Sequence, residues 1–408
     1  MGRIELYKDK SDCCGCEACV NICKRNAIKM QEDEYGFLYP QIDSSLCVEC
    51  GQCKKVCSYQ NENTEFNEPL LAEAATVTDR EICLKSASGG IFAALAKKIL
   101  QGGGRVYGCA FAYKDGVLYP EHVRVQSEND LTRLQGSKYV QSKLGSIYKN
   151  VKEDLEEGRV VLFSGTPCQI DALNSYLKNR EKNNLFTVDI ICHGTPSAKL
   201  FAEYLKHIAK NINGKIVDFR FRDKSGGWGL KGSIIYQDKM DKLRKKILPI
   251  QLSSYYALFL DSETYRENCY SCKYAGKKRI GDITLGDYWG VEDEHPEILA
   301  ENGGRFDKSM GISCVLINTK KGQQLLDCLD EEIERVPSSY EKIAKRNNQL
   351  KCPSSHSNVR DTIFELYKQK GYSAVDQWYF KRLGIKRYAY KFWNYIPRKA
   401  QILIKKII

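Results

Sequence analysis

CCGCEACVNIC at residues 13–23 and CVECGQCKKVC at residues 47–57 carry one cysteine spacing twice. The pattern is C-x2-C-x2-C-x3-C, made by Cys13, Cys16, Cys19 and Cys23 and again by Cys47, Cys50, Cys53 and Cys57. Three thiolates so spaced wrap one face of an iron–sulfur cube, and the fourth reaches out to a neighbouring cube. A tetrahedral zinc site asks instead for two pairs separated by a longer span. Two [4Fe–4S] clusters are therefore expected. By the usual exchange the first takes Cys13, Cys16, Cys19 and Cys57, and the second takes Cys47, Cys50, Cys53 and Cys23. A disulfide-stapled secreted head would need an export signal, and MGRIELYKDKSDCC has no apolar core of that kind.

The remaining composition fits that chemistry. At 408 residues, two or three domains are expected. A hydrophobic content of 42% with 28% charged residues reads as globular, and no run approaches a membrane span. Eighteen cysteines without an export signal point to a reducing, cytoplasmic setting. Nine of the twelve net positive charges fall after residue 376, at Lys381, Arg382, Lys386, Arg387, Lys391, Arg398, Lys399, Lys405 and Lys406. Aromatic residues alternate with them, and the chain given closes on ILIKKII. Such a tail suits aromatic packing on the body, or contact with an acidic partner or the membrane periphery; nucleic acid is not the expected partner.

The fold expected is α+β. Residues 1–60 read as a ferredoxin-like two-cluster module, with a hairpin at 27–43 turning at Gly36. A polar linker at 58–69 leads to an α/β domain over 70–350, in parts of about 70–150 and 155–335. A helical tail follows over 351–408. VVLFSGTPCQIDAL at 160–173 and VDIICHGTPSAKLF at 188–201 each read as an apolar strand, a Gly-Thr-Pro turn and a helix. Thr166 and Thr195 are the expected caps, with Pro167 and Pro196 in the first turns. Strands of this kind predict a mixed, mostly parallel, covered sheet, whose ligands gather at the strands' carboxyl ends. Paired strands are expected around the Gly-rich loop of 216–236, and a final strand–helix unit at 313–334.

A second cysteine set, Cys168, Cys192, Cys269 and Cys272, lies at strand ends and in a loop. Three readings stand open from the residues: a third cluster, a reactive Cys168 thiolate beside a zinc-binding pair, or four buried thiols. Cys83, Cys109, Cys314, Cys328 and Cys352 read as core, and Cys14 as a bystander off the ligand spacing.

SASGG at 86–90, QGSKYVQS at 135–142, VLFSGTPCQI at 161–170, DIICHGTPS at 189–197, FRFRDKSGGWG at 219–229, CYSCKYAGKKRIGDITLGDYWG at 269–290 and GISCVLINTKKG at 311–322 together resemble the coenzyme F420 hydrogenase/dehydrogenase beta-subunit family of iron–sulfur flavoproteins. The resemblance covers about residues 1–325. It implies FAD, electron transfer through [4Fe–4S] clusters, and oxidation or reduction of a deazaflavin or another conjugated substrate. Carried onto this chain, it sets Ser88, Gly89 and Gly90 at the flavin diphosphate. Lys138, Tyr139, Gln141 and Ser142 would flank the flavin, and Thr166, His193 and Gly194 would lie on the sheet edge beside its ring. His193 and Asp287 are the expected proton-transfer groups. The chain departs from the common pattern in placing Lys24 and Ser58, not proline, after the fourth cysteine of each run.

The expected function is that of a cytoplasmic oxidoreductase, with a place at the membrane periphery left open by the tail. It takes electrons from a ferredoxin-like donor or redox partner subunit and passes them to an organic small-molecule acceptor. The alternatives are an electron-transfer subunit with no substrate site of its own, and an accessory protein of surface-polysaccharide biosynthesis held by its tail.

Overall fold

The computed structural model describes residues 4–60, 64–178, 182–329 and 331–395. Arg398, Lys399, Lys405 and Lys406 of the basic tail lie outside them. The first module pairs β1 (Ile28–Glu32) with β2 (Leu38–Ile42) around Gly36. Short helices at Ala18–Ile22 and Gln52–Lys55 carry the middle of each cysteine run.

Eleven further strands follow: β3 (Leu71–Val77), β4 (Arg105–Lys114), β5 (Val117–Val125), β6 (Val161–Gly165), β7 (Leu185–Ile190), β8 (Lys215–Arg220), β9 (Lys231–Gln237), β10 (Leu243–Pro249), β11 (Ile283–Asp287), β12 (Ser313–Ile317) and β13 (Ile333–Pro337). Eight of them form one mixed sheet in the order β13-β3-β12-β11-β7-β6-β4-β5. Its central strands β11, β7, β6 and β4 are parallel, and antiparallel strands close both sides. The centre is buried on both faces, which is why these strands read as continuous apolar runs. Along β6, Leu162 packs with the Ile91–Gln101 helix, while Val161 and Phe163 face the helices Ile147–Glu156 and Pro167–Leu177.

The expected paired strands are β8 and β9, and β10 extends them into an antiparallel three-stranded sheet. β10 and β13 were not expected. LRKKILP is exposed along nearly all its length, and IERVP carries two charges at a sheet edge, so neither shows the apolar alternation that marks a strand.

An aromatic core joins the module to the rest. Phe37 and Tyr39 of the first hairpin pack with Phe201, Tyr255 and Tyr265, and with Ile363, Phe364 and Val375 of the C-terminal helices Asn358–Lys370 and Tyr372–Leu383. The tail thus turns its first aromatic residues inward. Its last described helix, Lys386–Tyr395, leaves Tyr388 and Phe392 exposed, with Ile385 just before it.

Candidate functional site: a cleft beside a second cysteine cluster

The parallel strands end on one edge, and a cleft of about 340 Å³ opens there. Ser88, Gly90, Lys138, Tyr139, Gln141, Ser142, Thr166, His193, Gly194 and Asp287 all line it. Gly89 does not. Its amide donates to Ser313 Oγ at 2.9 Å, and a β-carbon there would stand 2.4 Å from the Ala75 carbonyl oxygen, so this glycine lets the loop press onto the sheet. Gly90 holds φ at +88° and opens the Ile91–Gln101 helix, whose first-turn amides face the cleft region.

Two buried lysines bound the same corner. Lys224 donates to the Ser88 carbonyl at 2.5 Å and the Cys83 carbonyl at 2.7 Å, pinning the 86–90 loop. Lys138 donates to the carbonyls of Gln135 and Arg133. Burial pushes each ammonium down to about 8. A helix start with bare amides and two ammonium groups is an anion site in its chemistry. The apolar walls from Leu134, Val188, Ile190 and Leu285 suit a flat ring, so the residues present fit FAD.

Thr166 caps its helix as expected, its amide donating to Gln169 Oε1 at 3.0 Å. Thr195 does not cap the next one. Ser197 takes that place, accepting from the Leu200 amide while donating to the Tyr35 carbonyl, so the cap also ties down the first module.

Asp287 differs from its expected role. Arg222, with a side chain only 1% exposed, donates to both of its oxygens, at 2.5 and 3.1 Å, and Trp228 Nε1 donates at 3.0 Å. Burial pulls the guanidinium down, but the Asp287 charge outweighs it and holds Arg222 above its ordinary value. An acceptor in all three contacts, Asp287 anchors the cleft wall, where Trp228 stacks on Trp289 at 4.8 Å. His193 has its carbonyl held by Ser354, and burial pushes its ring toward the neutral form.

Sequence reading also missed His122. Its Nε2 bonds to the Ser164 carbonyl at 3.0 Å, so Nε2 carries the hydrogen and Nδ1 accepts from Ser142 Oγ at 2.8 Å. Ser142 in turn accepts from Gln169 Nε2, which completes a neutral network under the cleft floor. Burial lowers His122 to about 4. A single histidine in an alternating strand gives no signal of this.

Cys168, Cys192, Cys269 and Cys272 all line one small second cavity, which shares Thr166, Cys168, Cys192, His193, Gly194 and Thr195 with the cleft. Burial first, and then the charges of the other three, push the Cys192 thiol up; burial and Cys272 take Cys269 to about 12. Four thiols that repel one another as anions are the donor set a cationic iron cube would deprotonate and hold. Among the described residues no three His, Cys, Asp or Glu side chains are grouped tightly enough for a single ion; a cube spreads its ligands over four corners.

Cys14 is no bystander. It is buried, lines both cavities, and its thiol hydrogen-bonds with Cys16 on one side and Cys168 on the other. Of the five cysteines read as core, Cys83 and Cys314 are buried, Cys109 lines the cleft, and Cys328 and Cys352 are exposed.

The two N-terminal runs differ in depth. Cys19 feels Cys16, Cys13 and Cys57, and Cys53 feels Cys50 and Cys47, matching the exchanged ligand sets. The Cys47–Cys50 loop is on the surface, with Cys50 exposed and Leu46 and Val48 at 40% and 61%. Cys13 instead faces the second cysteine set across Arg266. Glu17 locks this orientation, accepting from the amides of Leu144 and Gly145 at 2.9 and 3.0 Å.

Two family models match the chain: a 4Fe-4S dicluster domain over residues 12–61, and the C terminus of the coenzyme F420 hydrogenase/dehydrogenase beta subunit over residues 158–338. Similarity also extends to a chain in a solved structure described as a xenon derivatization of the F420-reducing [NiFe] hydrogenase complex from Methanosarcina barkeri. That likeness has 19% identity and a TM-score of 0.43 over 74% of this chain and 93% of that one, too distant to bear on mechanism. No curated protein matches. With cysteine runs that carry iron–sulfur clusters and a domain of this kind behind them, the chain belongs to the coenzyme F420 hydrogenase/dehydrogenase beta-subunit family.

Proposed function

We propose that this iron–sulfur electron-transfer protein is a flavoprotein oxidoreductase, with a third [4Fe–4S] cluster on Cys168, Cys192, Cys269 and Cys272 and FAD in the cleft. The observation that carries this reading is the shared wall: the cavity lined by four cysteines opens onto the cleft through Thr166, Cys168, Cys192 and His193. When bound, FAD would exchange single electrons on one side and a hydride equivalent on the other. Residues 44–50, at the surface, are the entry for electrons from a ferredoxin-like donor or partner subunit, and the set containing Cys13 lies inward of them.

Within the cleft, Ser88, Gly90 and the first-turn amides bind the diphosphate, while Lys224 holds their loop. Tyr139, stacked on Phe259 at 4.6 Å, and Gln141 fix the wall where the ring lies. His193 moves the proton, and Asp287 orients Arg222 and Trp228. The substrate is a conjugated organic acceptor, deazaflavin-type or other. The chain works in the cytoplasm, and no described helix is long and apolar enough to cross a membrane.

Anaerobic purification followed by iron, sulfide and flavin analysis tests this. About twelve irons and one flavin per chain are expected, falling to about eight irons when Cys269 and Cys272 are replaced by alanine. Eight irons in the unmodified protein would remove the third cluster, and absence of flavin would remove the oxidoreductase.

The outward Ile385, Tyr388 and Phe392, beside Lys386 and Lys391, favour a second reading. In it the chain is a relay subunit docked through this helix to a partner or to the membrane periphery. Turnover of reduced dye with an organic acceptor by the isolated chain would rule it out.

A further inference from the structure

Arg266 is fully buried, 0% exposed, and the groups that hold its charge are Cys13, Tyr39, Cys14 and Cys269, with no carboxylate among them. A guanidinium in the interior demands a counter-charge. Its fork supplies the address. Nε donates to the Cys13 carbonyl at 2.7 Å, Nη2 points at Cys13 Sγ at 3.6 Å, and Nη1 reaches Gln141 Oε1 at 3.4 Å. The guanidinium lies 4.0 Å over the Tyr39 ring. Its backbone is threaded through the other cysteine set: the Arg266 amide donates to the Thr195 carbonyl, and its carbonyl accepts from the Cys269 amide, both at 3.0 Å. One residue thus grips the N-terminal cysteines, the second cysteine set and the cleft wall.

We propose that Arg266 is the counter-charge of the cube held by Cys13, raising its reduction potential and keeping it in register with the second cysteine set. The inference rests on the reading of Cys13, Cys16, Cys19 and Cys57 as one ligand set. A cube on four thiolates becomes more negative as it takes an electron, and a fixed cation in a poorly screened interior favours that form. Arginine keeps its charge throughout the accessible pH range, so the bias is constant. Arg266 is a positioning residue, since it touches a ligand and the cleft wall, not a substrate.

The test is a potentiometric titration followed by electron paramagnetic resonance on anaerobically purified Arg266→Gln and Arg266→Lys, with iron counted in each. At the wild-type midpoint of the affected cube, the ratio of reduced to oxidised form should fall about tenfold in Arg266→Gln, equivalent to 59 mV for a one-electron couple. Arg266→Lys should stay within about twofold. An Arg266→Gln protein with full iron and the wild-type midpoint overturns the proposal, and so does an Arg266→Lys shift as large as that of the glutamine variant. If Arg266→Gln does not assemble its cubes, Arg266→Lys decides alone: within twofold it supports the proposal, and beyond that it overturns it. Failure of the ligand reading shows elsewhere, as unchanged iron and an unchanged signal in Cys13→Ala.

Discussion

Replacing Asp287 by alanine removes one partner from a buried ion pair and leaves the other in place. Arg222 would keep only its Nε bond to the Gly229 carbonyl at 2.8 Å and a 3.4 Å contact with the Tyr139 hydroxyl. Orphaning a charge this deep costs about 3–5 kcal/mol. Trp228 Nε1 also loses its acceptor, a loss of about 1 kcal/mol. The assay is urea unfolding under anaerobic conditions, followed by tryptophan emission, to which the Trp228–Trp289 stack contributes. A second background isolates the cause. With Arg222 replaced by methionine, no buried cation remains to be orphaned, so Asp287→Ala should then cost only about 1 kcal/mol. A loss below about 1 kcal/mol in the native background would refute the reasoning. An equal loss in both backgrounds would do so too.

Two further predictions concern histidines. His122 titrates near 4 in the folded chain, against an ordinary 6.5, because burial disfavours its cation. The native state therefore binds fewer protons across that window, and the stability contribution, complete above pH 6.5, is lost as pH falls toward 4. The loss amounts to about 3 kcal/mol. His122→Gln should flatten the urea midpoint between pH 7 and 4 by that amount, and an unchanged pH profile would show that the Ser142–His122–Ser164 network does not hold the ring neutral. His193→Ala should keep iron and flavin content, and flavin reduction, while slowing product formation at least tenfold; equal turnover would remove His193 from proton transfer.

The parts legible in the sequence were those set by short-range spacing. Each N-terminal run lies within eleven residues, so the pattern is visible without a fold. The Gly-Thr-Pro turns marked two ends of parallel strands because Pro167 and Pro196 restrict the chain locally. Arg266 could not be found this way: it meets Cys13 across 253 positions, and a lone arginine before a C-x2-C pair looks like surface. Cys14 offered a faint signal by adjacency, but its value came only when folding brought Cys168 against it. The cleft wall at 86–90 and 135–142 has no chemical signature of its own; resemblance, not periodicity, pointed to it. Asp287 was found but misassigned, since nothing local to LGDYWG announces that Arg222 and Trp228 will occupy its oxygens.

The unequal depth of the two N-terminal runs sets an order of decay. Dioxygen meets the Cys50 end directly, whereas the Cys13 end is shielded behind Tyr39 and Arg266. Material handled in air should therefore lose its outermost iron first while keeping much of its brown colour. Such a preparation would look intact by absorbance yet be deaf to a protein donor, because its doorstep would have corroded before its interior.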